Sequence, residues 1–426
     1  MIRSVILQQK EELGTLQGKN YLERHVSINI EEYLNSGLVK LITGPRRAGK
    51  SVFTLQLLKD RNFAYLNFDD DLLLQNFNED QVLKYLAEIY PGYDYLLIDE
   101  IQNLDRWELW INKLYRRGFN LVITGSNAKL LSHELATILT GRYLQIELYP
   151  FSFAEVSAYH SFKLPAEDEL TPSISGSILQ NLRDYLIYGG FPETIMTRDL
   201  VKNYLSGLLD SVLLKDVVRR FKVRTPKTLY DLAHYLLTNY CNSFSFNQLM
   251  NDLGLNSVAT IKKFCQYLSE TYLFFYLPRY SVKLKQLQKT PQKVYIADNG
   301  FVVARSFELS RNEGRLLENL VFIELLRRKY RPGLELFYYR TRNDKEVDFI
   351  CRQGHIITSL IQVCFDLSGA KTYKREISAL VEAGREINCT NFQVITWDQE
   401  AQVEEQGARI NIIPAWKWLL INGKND

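Results

Sequence analysis

Over the first 150 residues, short apolar runs alternate with longer amphipathic stretches. The runs fall at residues 38–44, 63–69, 93–100, 120–126 and 143–149, and Val, Ile, Leu, Phe and Tyr dominate them. A strand covered on both faces reads as a nearly unbroken apolar run, and strands that alternate with helices imply a parallel sheet. The pattern therefore predicts an α/β core with helices on both faces of the sheet. Ahead of it, the amphipathic residues 21–37 end in Gly37 and predict a leading helix. Beyond Pro150 the helical period dominates to about residue 275. It is interrupted at Tyr188-Gly189-Gly190-Phe191-Pro192, where a glycine cap followed by proline ends a helix.

Residues 225–300 carry a second pattern. A helix is predicted over 226–239, another starts at Ser243-Phe244-Ser245-Phe246, and Leu253-Gly254-Leu255-Asn256 makes a tight turn before a third helix over 257–273. Phe274-Phe275-Tyr276-Leu277-Pro278 and Lys293-Val294-Tyr295-Ile296 then read as strands, which is the spacing of a winged helix. The remainder reads as a helix over 312–330, strands at 334–340, 346–352 and 356–365, a helix over 371–386 and a strand at 392–397. Four regions follow: a core at 1–150, a helical lid at 151–224, a winged-helix region at 225–310 and an α/β tail at 311–426.

Composition changes this picture little. The 426 residues hold ample apolar content for a core, and no run approaches a membrane span or the apolar stretch of a secretory signal. The five cysteines are scattered without C-x-x-C spacing, so a reducing cytoplasm is expected and no membrane partner. Net charge is +3, yet residues 215–293 hold thirteen basic against four acidic residues, a net +9. That excess points to a polyanionic partner, which beside the winged-helix spacing would be double-stranded DNA.

The candidate chemistry sits after the first apolar run. Gly44-Pro45-Arg46-Arg47-Ala48-Gly49-Lys50-Ser51 is G-x-x-x-x-G-K-S between a predicted strand and a predicted helix that begins at Val52, the P-loop arrangement. Such a loop turns backbone N–H groups toward a phosphate chain, and the helix dipole favours the negative charge. Lys50 would reach the terminal phosphates of ATP and Ser51 would ligate Mg2+. Arg46 and Arg47 contact phosphate or solvent. The third run ends Tyr95-Leu96-Leu97-Ile98-Asp99-Glu100, an apolar strand closed by two carboxylates. In a P-loop protein this is the Walker B strand, with Asp99 on Mg2+ and Glu100 polarising the attacking water. The neighbouring Phe68-Asp69-Asp70-Asp71 reads as a solvated, helix-capping cluster.

The fourth run ends Thr124-Gly125-Ser126-Asn127, which resembles the sensor-1 position of AAA-type ATPases. The resemblance implies that Asn127, or Ser126, contacts the γ-phosphate or water. Residues 128–139 are predicted as a helix. Leu139-Thr140-Gly141-Arg142 precedes the fifth run, where an AAA-type ATPase often carries an arginine finger into its neighbour. Arg142 matches that position and implies a homo-oligomer or another protein partner.

On the third helix of the winged-helix region, Thr260, Lys262, Lys263 and Gln266 are the candidate groove contacts, with Lys283 and Lys285 on the wing. The α-β-β-β-α-β order of the tail resembles the restriction-endonuclease-like fold. Glu318 and Asp348 match its first two metal-holding acids, whereas Gln362 stands for the third acid and Cys364 for the lysine. A neutral amide and a thiol cannot replace a carboxylate and a cation, so the tail is expected to be nuclease-like without nuclease activity. The whole chain resembles a widespread prokaryotic family of predicted AAA-type ATPases. The expected activity is Mg2+-dependent ATP hydrolysis coupled to DNA or a DNA-associated partner. The alternatives are an ATP-dependent switch or scaffold, and an ATP-regulated nuclease.

Overall fold

All five apolar runs of the first 150 residues form strands of one sheet in the computed structural model, which describes residues 1–26, 28–126, 139, 141–160, 170–281, 290–305 and 312–420. The described residues cluster into two units, Met1–Phe151 with Glu270–Tyr272, and Ser152–Ser269 with Leu273–Asp426. None of their helices is long and apolar enough to cross a membrane.

In the first unit, β1 (Val39–Thr43), β2 (Phe63–Asn67), β3 (Tyr95–Asp99), β4 (Leu121–Gly125) and β5 (Tyr143–Glu147) are all parallel, in the order β2-β3-β4-β1-β5. β1, β3 and β4 are buried along their whole length, as unbroken apolar runs require. Because every strand points the same way, Thr43, Asn67, Asp99, Gly125 and Glu147 end at one edge of the sheet. That edge is where the chemistry has to gather.

The leading helix differs from expectation at both ends. Residues 21–26 lie outside any regular element, and the helix is only Ile30–Asn35 (α2). It starts where the Asn29 side chain accepts from the Glu32 N–H, and Arg24 is held in another contact described below. A helix absent from the sequence reading, α1 (Ile2–Gln17), covers the β2 edge. Its Gln9 amide accepts from Asn67 N and donates to Asn67 O, both at 3.0 Å, which closes backbone groups that an edge strand leaves open.

The helices α3 (Lys50–Leu57), α4 (Asp71–Gln75), α5 (Glu79–Ile89) and α6 (Trp107–Arg116) connect the strands. Asp70 caps α4 by accepting from Leu73 N at 2.8 Å, the role expected of that acidic cluster. The predicted helix over 128–139 lies outside the described residues except at Leu139.

In the second unit, α7 (Pro172–Tyr188) opens on a Thr171 cap with Pro172 in its first turn and stops at Gly189. Gly189 has φ +74°, and a Cβ there would lie 1.7 Å from Asp298 Oδ1. The Asp298 carboxylate accepts from Gly190 N at 2.7 Å and Gly300 N at 2.8 Å. The Gly-Gly turn is therefore required by a buried carboxylate, not only by the helix end. Next come α8 (Val201–Ser211), a π-helical continuation (Val212–Arg219), α9 (Pro226–Thr238), β6 (Ser243–Phe244), α10 (Phe246–Asp252) and α11 (Val258–Glu270). β7 (Phe274–Pro278) and β8 (Gln292–Ile296) complete an antiparallel sheet in the order β6-β8-β7.

Two further helices, α12 (Asn299–Arg305) and α13 (Glu313–Arg327), precede a six-stranded mixed sheet. It contains β9 (Leu336–Arg340), β10 (Glu346–Gln353), β11 (Ile356–Val363), β12 (Phe392–Thr396), β13 (Ala401–Glu405) and β14 (Ala408–Pro414). The order is β13-β14-β12-β11-β10-β9, with α14 (Ala370–Ile387) packed on β10 and β11 and α15 (Ala415–Leu420) at the end. The hairpin of β13 and β14 and the last helix extend the predicted tail pattern.

Lys40 is wholly buried in β1, its ammonium donating to Ser36 O at 2.6 Å and Asn120 Oδ1 at 2.5 Å, two neutral acceptors. Burial pulls it down to about 8 from the 10.5 of an exposed lysine. A folded-state value below the unfolded one means that stability is lost as pH falls from about 10.5 through about 8. Lys40→Met should therefore flatten the rise of the urea midpoint between about pH 8 and pH 10. Parallel slopes for the variant and the parent protein would contradict the assignment.

Candidate functional site

The loop after β1 is built by backbone geometry that most residues resist. Gly44 has φ +149°, and a Cβ on it would lie 2.0 Å from Leu148 O. Arg47 at φ 66° and Gly49 at φ +89° are left-handed, and Gly49 forms the N-cap of α3 with no side chain over the first turn. The helix-start N–H groups therefore face outward from a site with no capping side chain of its own. Ala48 is buried and Val52 half-buried behind the loop. Arg46 pairs with Asp69 at 3.3 Å and Arg47 is exposed.

Arg24 was not anticipated as a site residue. It donates to Ala48 O at 2.9 Å and to Tyr149 O, and its guanidinium lies 4.1 Å from the centre of the Phe151 ring. Its place in an amphipathic stretch gave no signal, since an arginine on a helical polar face is common.

Lys50 is 3% exposed, with Nζ 3.0 Å from Pro45 O and 3.7 Å from Glu100 Oε1. Glu100 sits just past β3 at φ 50° and turns its side chain back over the edge of the sheet. Its Oε2 accepts from the Gln102 amide and from Ser126 Oγ at 3.3 Å, and the same amide lies 3.2 Å from Ser126 Oγ. Burial alone would push the Glu100 carboxyl up. The Lys50 ammonium, the Gln102 bond, Arg46 and Ser126 together outweigh it and hold the group below its usual range.

Asp99 shifts the other way. Burial and the neighbouring Glu100 charge raise it, opposed by hydrogen bonds from Thr124 and Ser51 and by Lys50. The Thr124 hydroxyl donates to Asp99 Oδ1 and accepts from Glu100 N at 3.1 Å, so one side chain aims both carboxylates. Tyr65 donates to Asp99 Oδ2 at 3.4 Å. Neither Gln102 nor Thr124 was anticipated. Gln102 is visible two residues after Glu100, but a glutamine behind a strand looks like any loop residue.

A Ser51 hydroxyl bonded to a buried carboxylate, both next to the loop amides, is an oxygen donor set that fits Mg2+, which keeps most of its shell as water and phosphate. Asn127 lies outside the described residues. Arg142 is exposed at the start of β5, where its carbonyl accepts from Val39 N at 3.1 Å and its guanidinium lies 5.9 Å from the Tyr115 ring centre. That is the end of the parallel sheet opposite Lys50.

In the second unit, Lys262, Lys263 and Gln266 are exposed on α11 and Thr260 is half-buried. Lys283 and Lys285 lie outside the described residues. Glu318 on α13 and Asp348 on β10 converge, but on the ammonium of Lys293, at 2.9 Å each. Lys293 belongs to the basic stretch read as polyanion-facing, and it is instead buried. Gln362 Oε1 accepts from Asp348 N at 3.4 Å while its amide donates to Glu376 Oε2 at 2.6 Å. The Cys364 thiol lies 3.2 Å from Asp366 O.

Three stretches of the chain match known families: residues 36–157 an AAA domain, residues 179–311 a domain of unknown function (DUF8612) and residues 313–418 another (DUF4143). The chain is 33% identical over 411 residues to the uncharacterized protein MJ1544 of Methanocaldococcus jannaschii, covering 93% of this chain and 91% of that protein. It is 33% identical over 367 residues to an uncharacterized protein of Haemophilus influenzae, covering 82% and 86%. Among solved structures, the Walker-type ATPase PABY2304 of Pyrococcus abyssi is similar at 18% identity and a TM-score of 0.40, covering 65% of this chain and 93% of that one. Cdc6p of Pyrobaculum aerophilum is similar at 14% identity and a TM-score of 0.25, covering 72% and 98%.

Arg24→Ala should loosen the loop and weaken adenine-nucleotide affinity about tenfold, the value of one or two hydrogen bonds to a charged group. Titration with a fluorescent ATP analogue measures this, and unchanged affinity would remove Arg24 from the site.

Proposed function

The chain belongs to the family of AAA-domain proteins that includes MJ1544 of Methanocaldococcus jannaschii, and from that premise we propose that it hydrolyses ATP in a Mg2+-dependent manner. The observation that carries the reading is the convergence of Lys50, Ser51, Asp99 and Glu100 at one edge of the parallel sheet. The loop amides and Lys50 bind the phosphate chain. Ser51 and Asp99 would hold Mg2+, which when bound offsets phosphate charge.

Among the described residues, Lys50 is held by a carbonyl and a carboxylate 3.7 Å away, so a γ-phosphate can take it over. Glu100, ionised through neutral pH, is then held by Gln102 and Ser126 as the group that accepts a proton from water. The water oxygen bonds to the γ-phosphorus as the bond to the β–γ bridging oxygen breaks, giving ADP and phosphate. Asn127 is proposed to touch the γ-phosphate or the water. Arg142, at the far end of its own sheet, is proposed to act on the site of a second copy.

Glu100→Gln should retain ATP affinity and lose turnover by about 100-fold or more, in a phosphate-release assay beside a nucleotide titration. Undiminished turnover would sink the assignment of the base.

For the second unit, the proposed reading is a helical lid, a winged helix over α9 to β8 and a nuclease-like tail without hydrolytic activity. The three exposed polar side chains of α11 favour DNA as the partner over a purely protein-binding switch. Duplex DNA should then raise the ATPase rate at low salt, and Lys262→Glu with Lys263→Glu should abolish the rise. Measured across protein concentrations, a specific activity that climbs in the parent protein but not in Arg142→Ala places the finger in trans. Stimulation that survives the double lysine change would move the contact off α11.

A further inference from the structure

Lys293 lies on the central strand of the β6-β8-β7 sheet and is 2% exposed. Its Nζ is 2.9 Å from Glu318 Oε1 on α13, 2.8 Å from Glu346 Oε1 and 2.9 Å from Asp348 Oδ1, both on β10. An ammonium has three N–H groups, and here each meets a carboxylate oxygen at the length of a charge-assisted hydrogen bond. Two of the second oxygens are also engaged. Asp348 Oδ2 accepts from Val363 N at 2.9 Å, and Glu346 Oε2 meets Arg340 at 3.3 Å. Glu318 Oε1 additionally accepts the Tyr295 hydroxyl at 2.7 Å.

We propose that the Lys293 ammonium is the resident cation of this carboxylate cluster, seated among the oxygens that would otherwise gather a divalent metal, and that it ties β8 to α13 and β10. The proposal deepens the reading of the tail as non-hydrolytic, because it names what closes the cluster. Gln362 and Cys364 remove groups from the tail, whereas Lys293 adds one.

Two observations support an ionic lock over a chance pairing. Glu318, Glu346 and Asp348 each bring a carboxylate oxygen within 2.9 Å of one buried Nζ, so these acids would repel one another without an internal cation. The neighbouring contacts bind the same elements together: Asn319 on α13 donates to Ile296 O at 3.0 Å and accepts from Ile296 N at 2.9 Å on β8. Tyr295 stacks on Phe322 with ring centres 4.0 Å apart.

The test is thermal unfolding of the full chain, free of nucleotide and metal. Lys293→Met should lower Tm by roughly 10 °C or leave the protein unfolded, since it strands buried carboxylates without a cation. The compensated variant Lys293→Met/Glu318→Gln/Asp348→Asn should recover at least about half of that loss. A single variant as stable as the parent, or a compensated variant no better than the single one, would overturn the lock.

Added Mn2+ should shift the Tm of the parent protein no more than that of Asp348→Ala, since any metal taken at Ser51 and Asp99 acts on both alike. A rise in the parent that disappears in Asp348→Ala would show that the cluster takes metal despite Lys293, and would overturn the proposal too. Plasmid nicking by the parent protein that is lost in Asp348→Ala would instead overturn the non-hydrolytic reading of the tail, a result separate from the stability comparison.

Discussion

A lysine ammonium buried in a protein has to be answered by an acceptor, and the acceptor it finds decides what that lysine does. The buried lysines among the described residues, Lys40, Lys50 and Lys293, show the range. Lys40 in β1 donates to a carbonyl and an amide, both neutral, and its affinity for the proton falls. Lys50 meets one carbonyl and, less closely, the Glu100 carboxylate. Lys293 is saturated by three carboxylates. The loosely held ammonium is the one proposed to pass to a phosphate, while the saturated one has nothing left to give.

That loose pairing at Lys50 depends on the sheet. Parallel strands bring Thr43, Asp99 and Gly125 to one edge, and tight backbone at Gly44, Gly49 and Glu100 turns the following residues over it. Thr124 and Gln102 then set the two carboxylates apart. Asp99 is driven up by burial and Glu100 is drawn down by its cation and donors, so adjacent acids of one strand end are shifted in opposite directions.

In the second unit, the same electrostatic demand joins elements that read separately along the chain. β8 lies in a small antiparallel sheet, and α13 and β10 belong to the tail. One ammonium and the amide of Asn319 hold them in a shared polar core. The Gly189-Gly190 turn belongs to this pattern, since it makes room for the Asp298 carboxylate and donates to it.

The sequence by itself determined the five core strands, the loop from Gly44 to Ser51 and the pair Asp99–Glu100. These depend on local apolar runs and on residue types at short fixed spacing, which the chain carries whatever else surrounds it. It also placed α9, α11, β7 and β8 closely, and most of the tail. What it could not determine were contacts between residues far apart in the chain. Arg24 on the phosphate loop, Gln9 on the β2 edge and Thr124 between the carboxylates all depend on which strands become neighbours. Lys293 is the clearest case: counted along the chain it adds to a basic stretch, and only folding surrounds it with three acids drawn from α13 and β10. Charge can be counted in one dimension, but its effect is set by neighbours and burial in three.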